Sequence, residues 1–239
     1  MTLIDQRVVV LGGTSGIGLA TAARAAREGA QVVVASSNQR SVDRALTTLP
    51  TTTQGYVANL TNPDAVSRLF HDLGSFDHLV YTAGEPLALM SVDALDLAAA
   101  RTAFDLRYFS SLSAVNAALP YLRPGGSITL TTGTANHRPS AGWSVAASIT
   151  GAIDALVRAL AVELAPIRVN AVSAGVIRSP LWDALPTETR EQMYAQLSES
   201  LPLGRVGEPE EVAEAFVYLL RATYATGTVV TVDGGTLIS

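Results

Sequence analysis

The sequence contains no cysteine and no lysine, although it is 239 residues long. Without cysteine, the chain can form no disulfide, thiolate nucleophile or zinc–thiolate site. The sixteen strongly basic residues are all arginines, so any chemistry that requires a lysine amine is excluded. The three histidines, His71, His78 and His137, are scattered along the chain, and we therefore predict no metal site.

Charge and hydropathy argue against two classes of partner. The formal net charge is −5 and no basic cluster is present, which disfavours binding to nucleic acid or to anionic lipid. No apolar run reaches the roughly 18 residues that a membrane span needs. The N-terminal segment MTLIDQRVVVLGG also lacks the pattern of a signal peptide. We expect a cytoplasmic protein that acts on a small-molecule substrate, with no membrane partner.

Apolar runs typical of strands alternate with segments of helical period such as PEEVAEAFVYLLR (209–221). Because these runs are apolar on both faces, they suit parallel strands covered by helices on each side. The sequence therefore predicts one α/β domain over residues 1–239, built on a doubly wound parallel sheet. Residues 180–202 are predicted to form a mobile insertion that covers the substrate. The strand-like runs are 7–12, 31–36, 55–59, 77–82, 126–132, 167–173 and 227–232.

The segment VVVLGGTSGIG places Gly12, Gly16 and Gly18 between the first predicted strand and the first predicted helix. Glycines at these positions permit a tight turn and let backbone amides approach a pyrophosphate, which then faces the helix N-terminus. The strand-to-helix context makes this motif more specific than a glycine pattern alone. It predicts a dinucleotide-binding site.

The residues after the second predicted strand bear on the choice between NAD and NADP. An acidic side chain at this position typically binds the ribose hydroxyls of NAD, but the sequence here reads ASSNQR (35–40), without a carboxylate. Ser36 and Ser37 can donate to a 2′-phosphate and Arg40 can neutralise it. This favours NADP over NAD, although Arg40 also fits a solvated start of the second helix.

Several ordered motifs resemble the short-chain dehydrogenase/reductase family over essentially the whole chain. They are GGTSGIG (12–18), TAG (82–84), RVNAVSAGVIRSP (168–180), PLGRVGEPEEVAEAFVYLL (202–220) and TGTVVTVDGG (226–235). The resemblance implies a Rossmann-type fold with a seven-stranded sheet, a nicotinamide cofactor, and homodimers or homotetramers formed through long helices and the C-terminal segment. The cofactor-binding positions it implies, together with those inferred above, are Gly12, Thr14, Ser15, Gly16, Ile17, Gly18, Ser36, Ser37, Arg40, Asn59, Leu60, Ala83, Gly84, Gly175, Val176, Ile177 and Ser179.

The same resemblance implies a catalytic tyrosine, a lysine four residues later, a serine thirteen residues before the tyrosine, and an asparagine on the preceding long helix. Matching the flanking motifs places these positions at Ala146, Thr150, Gly133 and Arg107, respectively. All four catalytic groups of the family are thus replaced in this chain. We expect lower cofactor affinity, because the tyrosine and lysine also hold the nicotinamide ribose in that family.

Substitutes for the missing groups can be proposed from the residues nearby. His137 has a reference pKa near 6.5 and is a candidate general acid, or a plain loop residue. Arg107 can polarise a carbonyl or bind a carboxylate, or form a salt bridge. Ser148 can donate a hydrogen bond but has no partner that would activate it. Trp143 suits an aromatic wall for a ring-bearing substrate, or packing.

Three functions remain open from the sequence. The leading hypothesis is an atypical NADP(H)-dependent oxidoreductase that acts on a carbonyl or alcohol. The second is a catalytically inactive NADP(H)-binding protein that serves as a sensor or as a non-catalytic subunit. The third is a cofactor-independent isomerase, dehydratase or lyase that reuses the pocket.

Overall fold

Seven strands form one parallel sheet in the order β3-β2-β1-β4-β5-β6-β7 in the computed structural model, which describes residues 2–85 and 89–239. Each of the seven strand-like runs in the sequence overlaps one of these strands, with ends that differ by at most four residues, and the predicted Rossmann-type fold is confirmed. The order reverses between β1 and β4, where the two halves of the sheet diverge. The strands are β1 (Arg7–Leu11), β2 (Gln31–Ser36), β3 (Gln54–Val57), β4 (Phe76–Tyr81), β5 (Leu122–Gly133), β6 (Arg168–Ala174) and β7 (Val229–Val232).

Helices cover both faces of the sheet. Along β1, Val9 and Leu11 belong to one apolar cluster with α3, α5 and α6, whereas Val8 and Val10 belong to a second cluster with α1, α2 and α8. Successive side chains of a strand point to opposite faces, which explains why the run VVVL is continuously apolar. The helices are α1 (Gly16–Arg27), α2 (Gln39–Thr48), α3 (Pro63–Leu73), α4 (Leu97–Phe104), α5 (Ser110–Ala118), α6 (Ser144–Glu163), α7 (Thr187–Ser200) and α8 (Pro209–Arg221).

A π-helical turn, Asp105–Phe109, joins α4 to α5. The sequence predicts one regular helix across this region, and periodicity does not reveal the interruption. Turns of this kind widen the helix and are frequent at functional sites. Here the turn contains Arg107, and the Leu106 carbonyl within it accepts a hydrogen bond from the Tyr81 hydroxyl at 2.6 Å.

The predicted insertion over residues 180–202 contains a short 3₁₀ turn (Pro180–Trp182) followed by α7. Its buried side chains Trp182 and Tyr194 form a small apolar cluster with Leu201 and Val206, separate from the two clusters beside the sheet. The Trp182 indole Nε1 donates to the Ile177 carbonyl at 3.1 Å, which fixes the ring. The mobility of this insertion stays a prediction.

Helix α6 has the length and apolar character that a membrane span requires, with a mean hydropathy of 1.7 over 18 residues. One such helix is weak evidence for a membrane span, because the central helix of a globular protein passes the same test. In this structure α6 packs against β5 and β6.

His78 lies in the middle of β4 and is 2% exposed. Its Nδ1 lies 2.8 Å from the Ser127 hydroxyl and its Nε2 lies 3.0 Å from the Gln6 side-chain oxygen. Burial lowers the pKa of His78 from 6.5 to about 4, and the nearby positive charge of Arg168 acts in the same direction. This histidine is a core residue that satisfies its polar atoms inside the protein.

Candidate cofactor cleft and active-site chamber

Two adjoining cavities open at the carboxyl ends of the strands, where the strand order reverses. Backbone hydrogen bonds hold this edge together: the Gly12 amide donates to the Ala35 carbonyl at 2.9 Å, and the Thr82 amide donates to the Leu11 carbonyl at 2.8 Å. In doubly wound sheets, ligands bind in the crevice at this reversal. We call the cavity beside the glycine loop the cofactor cleft and the cavity beside α6 the chamber.

The glycine loop forms the floor of the cofactor cleft, and its close contacts admit no side chain. A Cβ at Gly12, which has a φ of +83°, would lie 2.5 Å from the Ala83 amide nitrogen. A Cβ at Gly18 would lie 2.2 Å from the Gly12 carbonyl oxygen. These contacts explain why both positions are glycine. They bring the first turn of α1 up to the edge of β1 and β4.

The N-terminus of α1 suits an anion. The Ser15 side chain at the N-cap makes no capping hydrogen bond within the described structure, and no acidic residue lies in the first turn. The backbone amides of this turn therefore face the cleft together with the positive end of the helix dipole. The residues present fit the pyrophosphate of a dinucleotide.

Every predicted cofactor-binding residue except Arg40 lines one or both cavities. Ser36 and Ser37 lie at the far end of the cofactor cleft, after β2. Arg40 is exposed at the start of α2 and lies outside both cavities. The residues that line the cavities are Gly12, Thr14, Ser15, Gly16, Ile17, Gly18, Ser36, Ser37, Asn59, Leu60, Ala83, Gly84, Gly175, Val176, Ile177 and Ser179.

The structure brings together the four positions at which the family resemblance implies catalytic groups. Arg107, Gly133, Ala146 and Thr150 all line the chamber. A Cβ at Gly133 would lie 3.6 Å from the Thr150 Cγ2 atom, so the end of β5 directly faces α6. The α6 face that lines the chamber consists of Ala146, Ile149, Thr150 and Ile153 and carries no ionisable group.

Arg107 lies between the two cavities and lines both. Its Nε lies 3.2 Å from the Glu85 carboxylate oxygen Oε1, and its Nη2 donates to the Glu85 backbone carbonyl. The guanidinium covers Gly84, where a Cβ would lie 2.8 Å from Nη1. Sequence reasoning gave Arg107 a salt bridge as one alternative but did not identify Glu85, since the two residues are separated by 22 positions.

Most hydroxyl groups in the chamber wall already donate to the protein's own backbone. Seven hydroxyl-bearing residues line the described part of the wall; five of them donate to carbonyl oxygens, and the other two are Thr134 and Ser179. The distances are 2.6–3.1 Å: Tyr81 donates to Leu106, Thr82 to Leu11, Thr131 to Tyr81, Thr132 to Thr150, and Thr150 to Ala147.

Among the described residues, Tyr81 is the one phenol in the chamber wall, and it is 3% exposed. Burial raises its pKa above the ordinary value of 10.0, which makes it a weaker acid. Because its hydroxyl donates to the π-helical turn, Tyr81 holds that turn against β4. No local sequence motif indicates this contact.

His137 and Ser148 do not line the chamber. The His137 Nε2 atom lies 3.4 Å from the carboxylate of Asp154, which is itself buried and accepts a hydrogen bond from Asn136 at 2.8 Å. The Ser148 hydroxyl is exposed and donates to the Ser144 carbonyl at 2.8 Å. Neither side chain is placed to exchange a proton with a molecule in the chamber.

The sequence is similar to oxidoreductases over nearly its full length. A family model described as enoyl-(acyl carrier protein) reductase matches residues 12–236. The short-chain dehydrogenase/reductase ATR9 of Stachybotrys chlorohalonatus is 36% identical over 252 residues, which cover 99% of both chains. The 3-oxoacyl-[acyl-carrier-protein] reductase FabG of Thermotoga maritima is 31% identical, with all of both chains covered.

Two solved structures have folds that are similar to the fold of this chain. A small-chain dehydrogenase in complex with NADPH is 35% identical, with a TM-score of 0.88 over 98% of this chain and 99% of that chain. The MalC reductase/Diels-Alderase from Malbranchea aurantiaca is 27% identical, with a TM-score of 0.92 over 99% of this chain and 98% of that chain.

Proposed function

Because the chain belongs to the short-chain dehydrogenase/reductase family, we propose that it is an oxidoreductase that binds NADP(H) and acts on a carbonyl or alcohol. The observation that carries this proposal is the glycine-floored cleft at the uncapped N-terminus of α1, which opens directly into the chamber. When bound, the nicotinamide supplies or accepts the hydride. The chain's own residues bind the cofactor, orient the substrate and exclude water.

NADP is proposed over NAD because Ser36 and Ser37 line the end of the cleft where an acidic residue would otherwise bind ribose hydroxyls. One structural relative holds NADPH. Arg40 neutralises the 2′-phosphate only if its long side chain turns from the start of α2 toward Ser37. Comparing the dissociation constants of NADPH and NADH tests this preference, and tighter binding of NADH contradicts it.

The proposed active site is atypical because small or uncharged residues stand at three of the four catalytic positions of the family. Loss of a positioned general acid costs a factor of about 10² to 10⁴ in rate. Arg107 can instead polarise the substrate carbonyl. Its guanidinium lies at the boundary between cleft and chamber, where it can donate a hydrogen bond to a carbonyl oxygen. The proton that completes a reduction comes from water or from the substrate.

The test measures NADPH oxidation with a panel of neutral ketones and aldehydes, using the protein and two variants. Arg107→Met should lower kcat/KM by about tenfold or more, since it removes a charged hydrogen-bond donor from the reacting oxygen. Arg101→Met is the matched control, because Arg101 is an exposed arginine of α4 outside both cavities. If no carbonyl accelerates NADPH oxidation above the buffer rate, reductase activity is rejected.

A second candidate is a non-redox reaction in the same chamber. It is favoured by the α6 face of the chamber, which carries no acid or base, and by the relative named both a reductase and a Diels-Alderase. In this case Arg107 polarises a carbonyl of the reacting molecule and the chamber restricts its conformation. Cofactor binding without NADPH oxidation, together with accelerated cyclisation of a tethered diene and enone, would support this candidate over the first.

A further inference from the structure

Both tryptophans of the chain lie in the wall of the chamber. Trp182 is 4% exposed and its indole is held by the Ile177 carbonyl at 3.1 Å. Trp143 immediately precedes α6 and packs against the same apolar cluster as Trp182. Two large aromatic side chains, of which Trp182 is held by a hydrogen bond, provide an apolar surface that favours flat ring systems over flexible chains.

The rest of the wall is also largely apolar, and several of its side chains are small. On α6, the small side chain of Ala146 lies one turn from Ile149 and Thr150, and Gly133 adds no side chain at the end of β5. Ile17, Val176 and Leu181 extend the apolar lining toward the cofactor cleft. A molecule that fills this space must place several of its carbon atoms against apolar side chains, and the removal of this apolar surface from water favours binding.

The chamber has almost no net charge to offer a ligand. Of the side chains that the structure describes in its wall, Arg107 is the one that is charged, and the carboxylate of Glu85 compensates it at 3.2 Å. A second carboxylate from a ligand would therefore meet a guanidinium that is already paired, and would lose its hydration in an apolar space. A neutral ligand avoids this cost.

Hydrogen-bond donors in the chamber are few, because five wall hydroxyls donate to backbone carbonyls. Within the described residues, Nη1 of Arg107 has no hydrogen-bond partner, whereas Nε and Nη2 both bind Glu85. Arg107 can thus bind one acceptor oxygen of a ligand, while the rest of the ligand contacts apolar side chains of the wall.

From these four observations we propose that the chamber binds a neutral, ring-bearing carbonyl compound, with its flat face against Trp143 and Trp182 and its carbonyl oxygen at Arg107. This substrate class rests on the proposed function only in assuming that the chamber holds the reacting molecule. It differs from short, charged or thioester-linked keto acids, which need a cationic or elongated site.

The experiment measures binding without relying on turnover. Because both tryptophans line the chamber, their fluorescence reports its occupancy, and calorimetry gives an independent dissociation constant. With NADP⁺ present, α-tetralone should bind at least about tenfold more tightly than cyclohexanone or acetoacetate, since it adds a flat aromatic ring and no charge. Equal or tighter binding of acetoacetate overturns the proposal.

A matched pair of variants locates the site. Ala146→Phe fills the chamber and should weaken α-tetralone binding by at least about tenfold, whereas Ala155→Phe, at an exposed position of the same helix, should not. Equal effects of the two variants would place the ligand elsewhere and overturn the proposal.

The failure of this proposal and the failure of the proposed function give different results. Selective α-tetralone binding without NADPH oxidation would support the substrate class and reject the reductase function. NADPH oxidation with acetoacetate alone would support the reductase function and reject the substrate class.

Discussion

At the scale of single residues, the start of α6 carries the positions at which the family resemblance implies a proton donor and a lysine. Ala146 and Thr150 at these positions face the chamber together with Gly133. That the catalytic groups of the family are replaced here stays a prediction, and substitution of the two residues tests it.

We expect the double variant Ala146→Tyr/Thr150→Lys to raise NADPH-dependent carbonyl reduction by about 10²-fold, because it restores a general acid and a cation that lowers its pKa. Initial rates with a neutral aromatic ketone measure this. Ala146→Phe/Thr150→Met is the control of similar volume without the ionisable groups. Equal rates for the two double variants would show that the chamber does not align substrate with the new phenol.

His78 supplies a prediction about pH and stability. Its pKa is about 4 in the folded protein against 6.5 when exposed, so the unfolded chain binds the proton more readily. The free energy of unfolding is then highest above pH 6.5 and falls as the pH is lowered from 6.5 to 4. A pKa difference of this size corresponds to about 3 kcal/mol over that range.

Urea unfolding of the His78→Gln variant at several pH values between 7 and 4 tests this effect. Glutamine keeps polar atoms that can contact Ser127 and Gln6 but does not titrate, so the variant should lose less stability than the wild type as the pH falls. His71→Gln, at an exposed site, controls for the loss of a histidine. An unchanged pH slope in His78→Gln would show that another group causes the acid sensitivity.

Some residues of the site could be predicted from local sequence motifs, whereas others depend on contacts between distant parts of the chain. Gly12 and Gly18 could be predicted because a local strand–turn–helix motif determines their role. The pairing of Arg107 with Glu85 and the contact of His137 with Asp154 could not, since each partner is chosen by packing between elements far apart in sequence. The insertion over residues 180–202 was predicted to cover the substrate, but nothing in the sequence singled out Trp182 within it as a residue of the chamber wall.

At the scale of elements, the strands could be predicted and the π-helical turn could not. The apolar runs of the five central strands follow from their burial on both faces, whereas the edge strands β3 and β7 are only partly buried. The turn Asp105–Phe109 has no such signature, and its contact with the Tyr81 hydroxyl joins elements that are far apart in the sequence. Local composition around 105–109 resembles an ordinary helix.

The Tyr81→Phe variant tests the role of that contact. Removing the hydroxyl leaves the Leu106 carbonyl without its partner in a buried place, so the free energy of unfolding should fall by about 1–3 kcal/mol. Binding of a neutral ketone should also weaken, because Arg107 lies in the same turn. Chemical unfolding and ligand titration measure the two effects. A variant with wild-type stability and wild-type ketone binding would show that the turn holds Arg107 without Tyr81.

At the scale of the whole molecule, two exposed apolar side chains lie on the helical segments through which the family resemblance predicts homodimers or homotetramers. Phe109, at the end of the π-helical turn, is 55% exposed, and Val162, near the end of α6, is 81% exposed. The assembly itself stays a prediction.

We expect Phe109→Glu/Val162→Glu to lower the molar mass measured by analytical ultracentrifugation, because each glutamate would place a charge in an apolar contact. Val92→Glu is the control, since Val92 is 72% exposed and lies outside these helices. A wild-type molar mass for the double variant would exclude this surface as the interface.

The insertion between β6 and α8 closes a small core of its own around Trp182 and Tyr194. Leu181 and Trp182 of this segment line the chamber, while Pro180, Leu181 and Asp183 line the cofactor cleft. One stretch of chain therefore borders both ligand sites, and grafting another sequence over residues 180–202 should change substrate scope and cofactor affinity together.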